Sequence, residues 1–167
     1  MDLRQITQRV QSDLQYISEF TATPGNGCTR MPFTQETRYT AEYLKKIMAE
    51  AGLEVWEDCV GNVFGRRPGR DRSLPCIMVG SHYDSVYNGG DYDGIAGVIS
   101  AVELARLLQN ENRQLPCDFV AAAFMDEEGC RFGTGGAYKG YSKRYERSGG
   151  DCGVQHRCPR RGQTCDR

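Results

Sequence analysis

Cys76-Ile77-Met78-Val79-Gly80-Ser81-His82-Tyr83-Asp84 is an apolar run that ends in one of only two histidines in the 167-residue chain, with a carboxylate two positions further on. An apolar run without polar alternation, bounded by turn residues, is the pattern of a strand covered on both faces. A second such run spans residues 117–125, Cys-Asp-Phe-Val-Ala-Ala-Ala-Phe-Met. Between them Val98, Val102, Ala105 and Leu108, with Ile99 and Leu107 beside them, recur at helical spacing. Strand, helix and strand at this separation predict a βαβ crossover with the two strands as parallel neighbours. Both strands then deliver polar residues at their carboxyl ends, the edge at which open α/β sheets bind ligands.

Upstream, Leu3, Ile6, Val10, Leu14 and Ile17 predict an amphipathic helix that stops before the turn-rich Thr21-Ala22-Thr23-Pro24-Gly25. Thr34 is a suitable N-cap for a second helix, whose apolar face is Ala41, Leu44, Ile47, Met48 and Ala51 and whose stop is Gly52. Residues 53–60 and 62–65 predict two short strands around Gly61, and Arg66-Arg67-Pro68-Gly69 a turn.

Charge is nearly balanced at net −1, which gives the chain no field suited to nucleic acid or an anionic membrane. The first residues lack the apolar core of a secretory signal, and no stretch approaches the roughly 20 apolar residues of a spanning helix, so the expectation is a cytoplasmic protein. The eight cysteines form no CxxC pair, and Cys76 and Cys117 sit in apolar runs, which predicts reduced thiols. Residues 139–167 differ from the rest: eight Lys or Arg stand against three acids, with a single Val and no Leu, Ile, Met or Phe. Such a segment buries too little apolar surface to offset its ordering entropy and is predicted to be disordered. Cys152, His156, Cys158 and Cys165 lie in it at spacings that match no common zinc module.

Three polar clusters carry the chemistry: Ser81-His82-Tyr83-Asp84, Asn88-Gly89-Gly90-Asp91-Tyr92-Asp93-Gly94 and Asp126-Glu127-Glu128-Gly129. In extended backbone His82 and Asp84 project to one side and Tyr83 to the other. A carboxylate accepting from one imidazole nitrogen fixes the tautomer and leaves the other nitrogen to bind metal, a role open to Asp84. Asp93 leads into the helix, and Glu127 and Glu128 follow the second strand, so all can converge at the sheet edge. Carboxylates crowded around one imidazole repel unless cations neutralise them, and a two-metal centre is the natural compensation. Taken singly, His-x-Asp also reads as an ordinary hydrogen-bonded pair and Asp-Glu-Glu-Gly as a solvated acidic turn. The glycine-rich loop matches neither GxGxxG nor GxxxxGK[ST], and its aspartates would oppose a phosphate.

The stretches GCTRMPFT, AGLEVWEDCVGNVFGR, VGSHYDSVYNGGDYDGIAGV and FMDEEGCRFGTG, in this order over residues 10–138, resemble the hydantoinase/carbamoylase family of metal-dependent amidohydrolases. That family is related to the dinuclear aminopeptidases and carboxypeptidases. The resemblance implies an α/β three-layer sandwich of that clan, with residues 1–138 as the N-terminal portion of its catalytic domain. It implies two divalent metal ions, Zn2+ foremost with Mn2+ or Co2+ as alternatives: His82 binds one, Asp93 bridges both, and Glu128 binds the second. Asp84 would orient His82 and Glu127 would act as general base. The implied substrates are small linear ureido or amide molecules, N-carbamoyl amino acids or allantoate; a dinuclear exopeptidase or deacylase of the clan, or an inactive fragment, are the alternatives.

Family members also carry a second, smaller domain that serves as lid and homodimer interface, and further metal-binding histidines, neither of which this sequence supplies. His156 matches neither ligand position. Beyond residue 138 the family pattern ends, and the expectation for residues 139–167 is a shifted reading frame or a truncated gene product.

Overall fold

The computed structural model describes residues 2–129, seven elements in the order α1 (Leu3–Ser18), α2 (Gln35–Glu50), β1 (Glu54–Glu57), β2 (Val63–Arg67), β3 (Ile77–His82), α3 (Ile95–Asn110) and β4 (Phe119–Phe124). The expectations for residues 130–167, including the tail, its cysteines and His156, lie outside the described residues.

The four strands form one sheet in the order β1-β2-β4-β3. β1 and β2 are an antiparallel hairpin, β2 runs antiparallel to β4, and β3 runs parallel to β4 with His82 opposite Phe124. The crossover read from the sequence is therefore present, with α3 packed on both of its strands.

Strand alternation sorts the core into two clusters. Val63, Phe119, Ala121 and Ala123, with Val55 and Val79, face the helices, where Leu44, Ile47 and Met48 of α2 and Val98, Ile99 and Val102 of α3 are buried. Each such fully buried aliphatic side chain stabilises by about 2 kcal/mol. On the opposite face Phe64, Val120, Ala122 and Phe124 form a second cluster with Trp56, Cys76 and Met78, in which Phe64 stacks on Trp56 and meets Phe124 edge-on.

Local signals explain the ends of the helices. The Asp2 side chain accepts the Arg4 amide and caps α1, and Gly52, at φ +75°, ends α2 in the left-handed region that favours glycine. Just past the carboxyl end of α1, the buried Arg30 donates to the carbonyls of Ile17 (3.2 Å), which also accepts the Phe20 amide, and Phe20 (3.4 Å). Its Nε donates to the Tyr83 carbonyl at 2.6 Å and so ties α1 to the end of β3.

Two expectations need correction. Arg66 and Arg67, expected in a turn, are the last residues of β2 and pair with Val120 and Phe119, because the hairpin strand extends as far as β4 gives it a partner. The other concerns burial. β4 is buried along its whole length, as an unalternating apolar run predicts, but β3 is not: Ile77 is exposed, and Met78 and Val79 are half-buried. β3 stands last in the strand order, and among the described residues only β4 pairs with it. An apolar run reports what a strand's faces can tolerate, not how many neighbours it has.

The four cysteines among the described residues, Cys28, Cys59, Cys76 and Cys117, are free. None of the described helices is long and apolar enough to cross a membrane.

Candidate metal centre

The parallel pairing of β3 and β4 brings their carboxyl ends side by side, and α3 begins in front of them. His82 is the last residue of β3; Asp93 stands two positions before the first residue of α3; Glu127 and Glu128 follow β4. One ligand atom from each of His82, Asp93 and Glu128 lies within 4.8 Å of the others. His82 Nε2 is 3.9 Å from Asp93 Oδ1 and 3.9 Å from Glu127 Oε2. The residues singled out in the sequence thus converge, although they come from three separate segments.

The imidazole is held from behind. His82 Nδ1 lies 3.1 Å from the main-chain carbonyl of Asp84 and 3.7 Å from its carboxylate. A carbonyl can only accept, so this contact puts the proton on Nδ1 and leaves the Nε2 lone pair facing Asp93 and Glu127. The sequence reading gave the tautomer-fixing role to the Asp84 carboxylate; the nearer partner is its backbone oxygen. The carboxylate does something else: Oδ1 accepts the Glu127 amide at 3.2 Å and Oδ2 the Glu128 amide at 3.1 Å. Asp84 therefore joins the histidine segment to the glutamate turn. Burial pushes the Asp84 carboxyl above its ordinary value, while the two amides and His82 pull it back.

Glycine at position 94 is required by space as well as by conformation. Its φ is +66°, and a Cβ there would meet Nδ1 and Nε2 of His82 at 2.5 Å. The backbone before α3 therefore lies against the imidazole ring, which is how Asp93 reaches it. Asp126, at φ +62°, opens the turn after β4, a conformation that Asp tolerates better than most residues. Desolvation pushes the Glu128 carboxyl up, as do Asp93, Glu127 and Asp84 close by, against the opposing pull of His82.

This donor set fits a divalent cation. It offers one imidazole nitrogen at the end of β3 and carboxylate oxygens from the segments that precede α3 and follow β4. Tyr83 turns away from the cluster, as expected of the residue between two that face it; it is buried, and its hydroxyl donates to the Gly61 carbonyl at 2.7 Å. Sequence reasoning did not find Arg30 or Asn62, whose partners at this site lie dozens of residues away. The available signal was their place in quoted motifs, GCTRMPFT and AGLEVWEDCVGNVFGR, that held no assigned residue.

The sequence profile described as Peptidase family M28 matches residues 62–148, more than half of the chain and all three polar clusters. The chain belongs to peptidase family M28. Among curated relatives, the M28 chain is 46% identical over 131 residues to an N-carbamoyl-L-amino-acid amidohydrolase of Paenarthrobacter aurescens, covering 77% of this chain and 31% of that protein. It is 35% identical over 125 residues to an allantoate amidohydrolase of Escherichia coli, covering 75% and 30%. A solved hydantoinase/carbamoylase family amidase from Burkholderia ambifaria superposes with a TM-score of 0.70 at 31% identity, covering 74% of this chain and 31% of that one. The resemblance read from the four motifs is borne out, as is the α/β fold of the aminopeptidase/carboxypeptidase type. The M28 chain spans under a third of the length of these relatives.

Proposed function

We propose that this chain is the N-terminal catalytic portion of a metal-dependent amidohydrolase acting on linear amide or ureido C–N bonds, with N-carbamoyl amino acids or allantoate-like molecules as substrates. The observation that carries this reading is the convergence of His82, Asp93 and Glu128 within 4.8 Å at the carboxyl edge of a parallel strand pair. The names of the amidohydrolase relatives support the substrate class.

His82, Asp93 and Glu128 would hold the metal, zinc being the first choice for imidazole and carboxylate donors and manganese or cobalt the alternatives. When bound, divalent cations supply Lewis acidity, polarising the carbonyl and lowering the pKa of water towards about 7. The chain's own groups do the rest. His82 keeps its proton on Nδ1 against the Asp84 carbonyl, so Nε2 stays available as a donor atom. Asp84 holds the Glu127 and Glu128 amides and thereby fixes where both glutamates start. Glu127, half-buried and 3.9 Å from Nε2, accepts a proton from the attacking water at a carboxylate oxygen and returns it to the leaving nitrogen.

The M28 profile favours a second reading within the clan, an exopeptidase or deacylase. Parallel assays of a full-length counterpart on N-carbamoyl amino acids, allantoate and dipeptides separate the two, with faster turnover of the ureido compounds expected. The 167-residue chain, titrated with Zn2+, is expected to bind it, and His82→Ala to bind none. Equal Zn2+ binding by the parent chain and His82→Ala, or turnover of dipeptides alone, would overturn the proposal.

A further inference from the structure

The turn that joins β1 to β2 braces both strand ends of the metal centre. Asp58 Oδ1 accepts the amides of Val60 (2.9 Å), Gly61 (3.0 Å) and Asn62 (2.9 Å), and its Oδ2 accepts Asn62 Nδ2 at 2.8 Å. With its amide nitrogen so engaged, Asn62 presents Oδ1 on the other side, where it accepts the main-chain N–H of Met125 at 2.8 Å. Asn62 is 3% exposed and Met125 6%. Met125 is the residue between the end of β4 and the left-handed Asp126, so this one bond fixes the chain where it turns to present Glu127 and Glu128. The same turn receives the Tyr83 hydroxyl on Gly61, and Tyr83 lies between His82 and Asp84.

We propose that Asn62 is a positioning residue: oriented by Asp58, its side-chain oxygen sets the Met125–Glu128 turn against the end of β3 and so the spacing of His82 and Glu128. The claim about the turn stands on the hydrogen bonds, and its consequence for a cation rests on the function proposed above. A buried amide left without its acceptor is costly, so losing Asn62 releases the turn instead of leaving it in place.

The test compares Asn62→Ala, Asn62→Asp and the exchanged pair Asp58→Asn/Asn62→Asp in the full chain, with Leu108→Ala as a variant that loses core packing at the last turn of α3. In the absence of cations, amide hydrogen exchange at Met125, Glu127 and Glu128 is expected to quicken about 10-fold in Asn62→Ala beyond the change in Leu108→Ala, since one buried hydrogen bond is lost. Asn62→Asp sets two carboxylates against each other and should behave likewise. The exchanged pair restores one donor and one acceptor at each contact and should return exchange to the parent rate. Titrated with Co2+, Asn62→Ala is expected to bind about 10-fold more weakly with an altered visible spectrum, both recovered in the exchanged pair. Exchange no faster than in Leu108→Ala, or no recovery in the exchanged pair, overturns the proposal. If Asn62→Ala does not fold, Asn62→Asp and the exchanged pair decide it. A parent chain that binds no Co2+ would sink the functional reading, and the exchange rates would still decide the positioning claim.

Discussion

Two of the charged clusters among the described residues both bring Asp and Glu side chains together, with opposite results. Between α1 and α3, Arg106 Nη1 lies 2.6 Å from Asp13 Oδ2 and 3.3 Å from Glu103 Oε2, and Arg9 pairs with Glu103. The Tyr43 hydroxyl donates to Asp13 at 2.7 Å, and burial together with Asp13 pushes its phenol well above the ordinary value. There, each buried carboxylate has an arginine. At the sheet edge Asp84, Asp93 and Glu127 lie 3.7 to 3.9 Å from the single imidazole of His82, and Glu128 is pushed up in part by the other carboxylates. The first cluster pairs each of its buried carboxylates with an arginine and reads as structure. The second, as far as the described residues go, gathers carboxylates from three segments around one imidazole and reads as a site.

The largest effect tests completeness. Arg106→Met leaves Asp13 and Glu103 buried with a cation removed from each, and should cost about 3 kcal/mol in urea unfolding while leaving Zn2+ affinity unchanged. Removing the cation tests the other cluster: chelation should lower stability by about 2.7 kcal/mol relative to Zn2+ at 100 times its dissociation constant, and do nothing to His82→Ala. Gly94→Ala follows, with about 2 kcal/mol lost to left-handed strain and to the clash with His82, accompanied by loss of Zn2+ binding. A Gly94→Ala chain that binds Zn2+ as the parent does would break the argument that the backbone here must approach the ring.

The framework of this comparison is legible in the sequence because it follows from period and adjacency. Two apolar runs with a helical pattern between them give the crossover, and the crossover alone brings His82 beside Glu127 and Glu128. The burial of β3 is not legible because a strand with one neighbour, as β3 has among the described residues, and a strand with two share one apolar vocabulary. The surroundings of the Asp84 carboxylate are only partly legible: an i, i+2 spacing reveals a side shared with His82 but not that two amides from beyond β4 also donate to its oxygens. Asn62 escaped notice because a polar residue in a turn ordinarily faces water, and what buries this one is a partner 63 residues away.

The smallest effect is the most discriminating, because its sign differs between the clusters. Glu128 has its carboxyl raised in the folded chain, so the native state holds that proton more tightly than the unfolded state does. Its contribution to stability is therefore complete below the unfolded value and lost as pH rises through the folded one. In the cation-free chain Glu128→Gln should then gain about 0.3 kcal/mol at pH 7, a small figure because solvent screens a half-exposed group, and the gain should vanish in acid. With saturating Zn2+ the same substitution should cost stability, because a ligand is gone. Glu103→Gln has no such reversal: it faces Arg9 and Arg106 and should lose stability at pH 7 with or without the cation. Thermal unfolding of both variants, with Zn2+ and with chelator, gives four differences; a cation-free Glu128→Gln less stable than the parent would mean that the sheet-edge carboxylates are already balanced and need no metal.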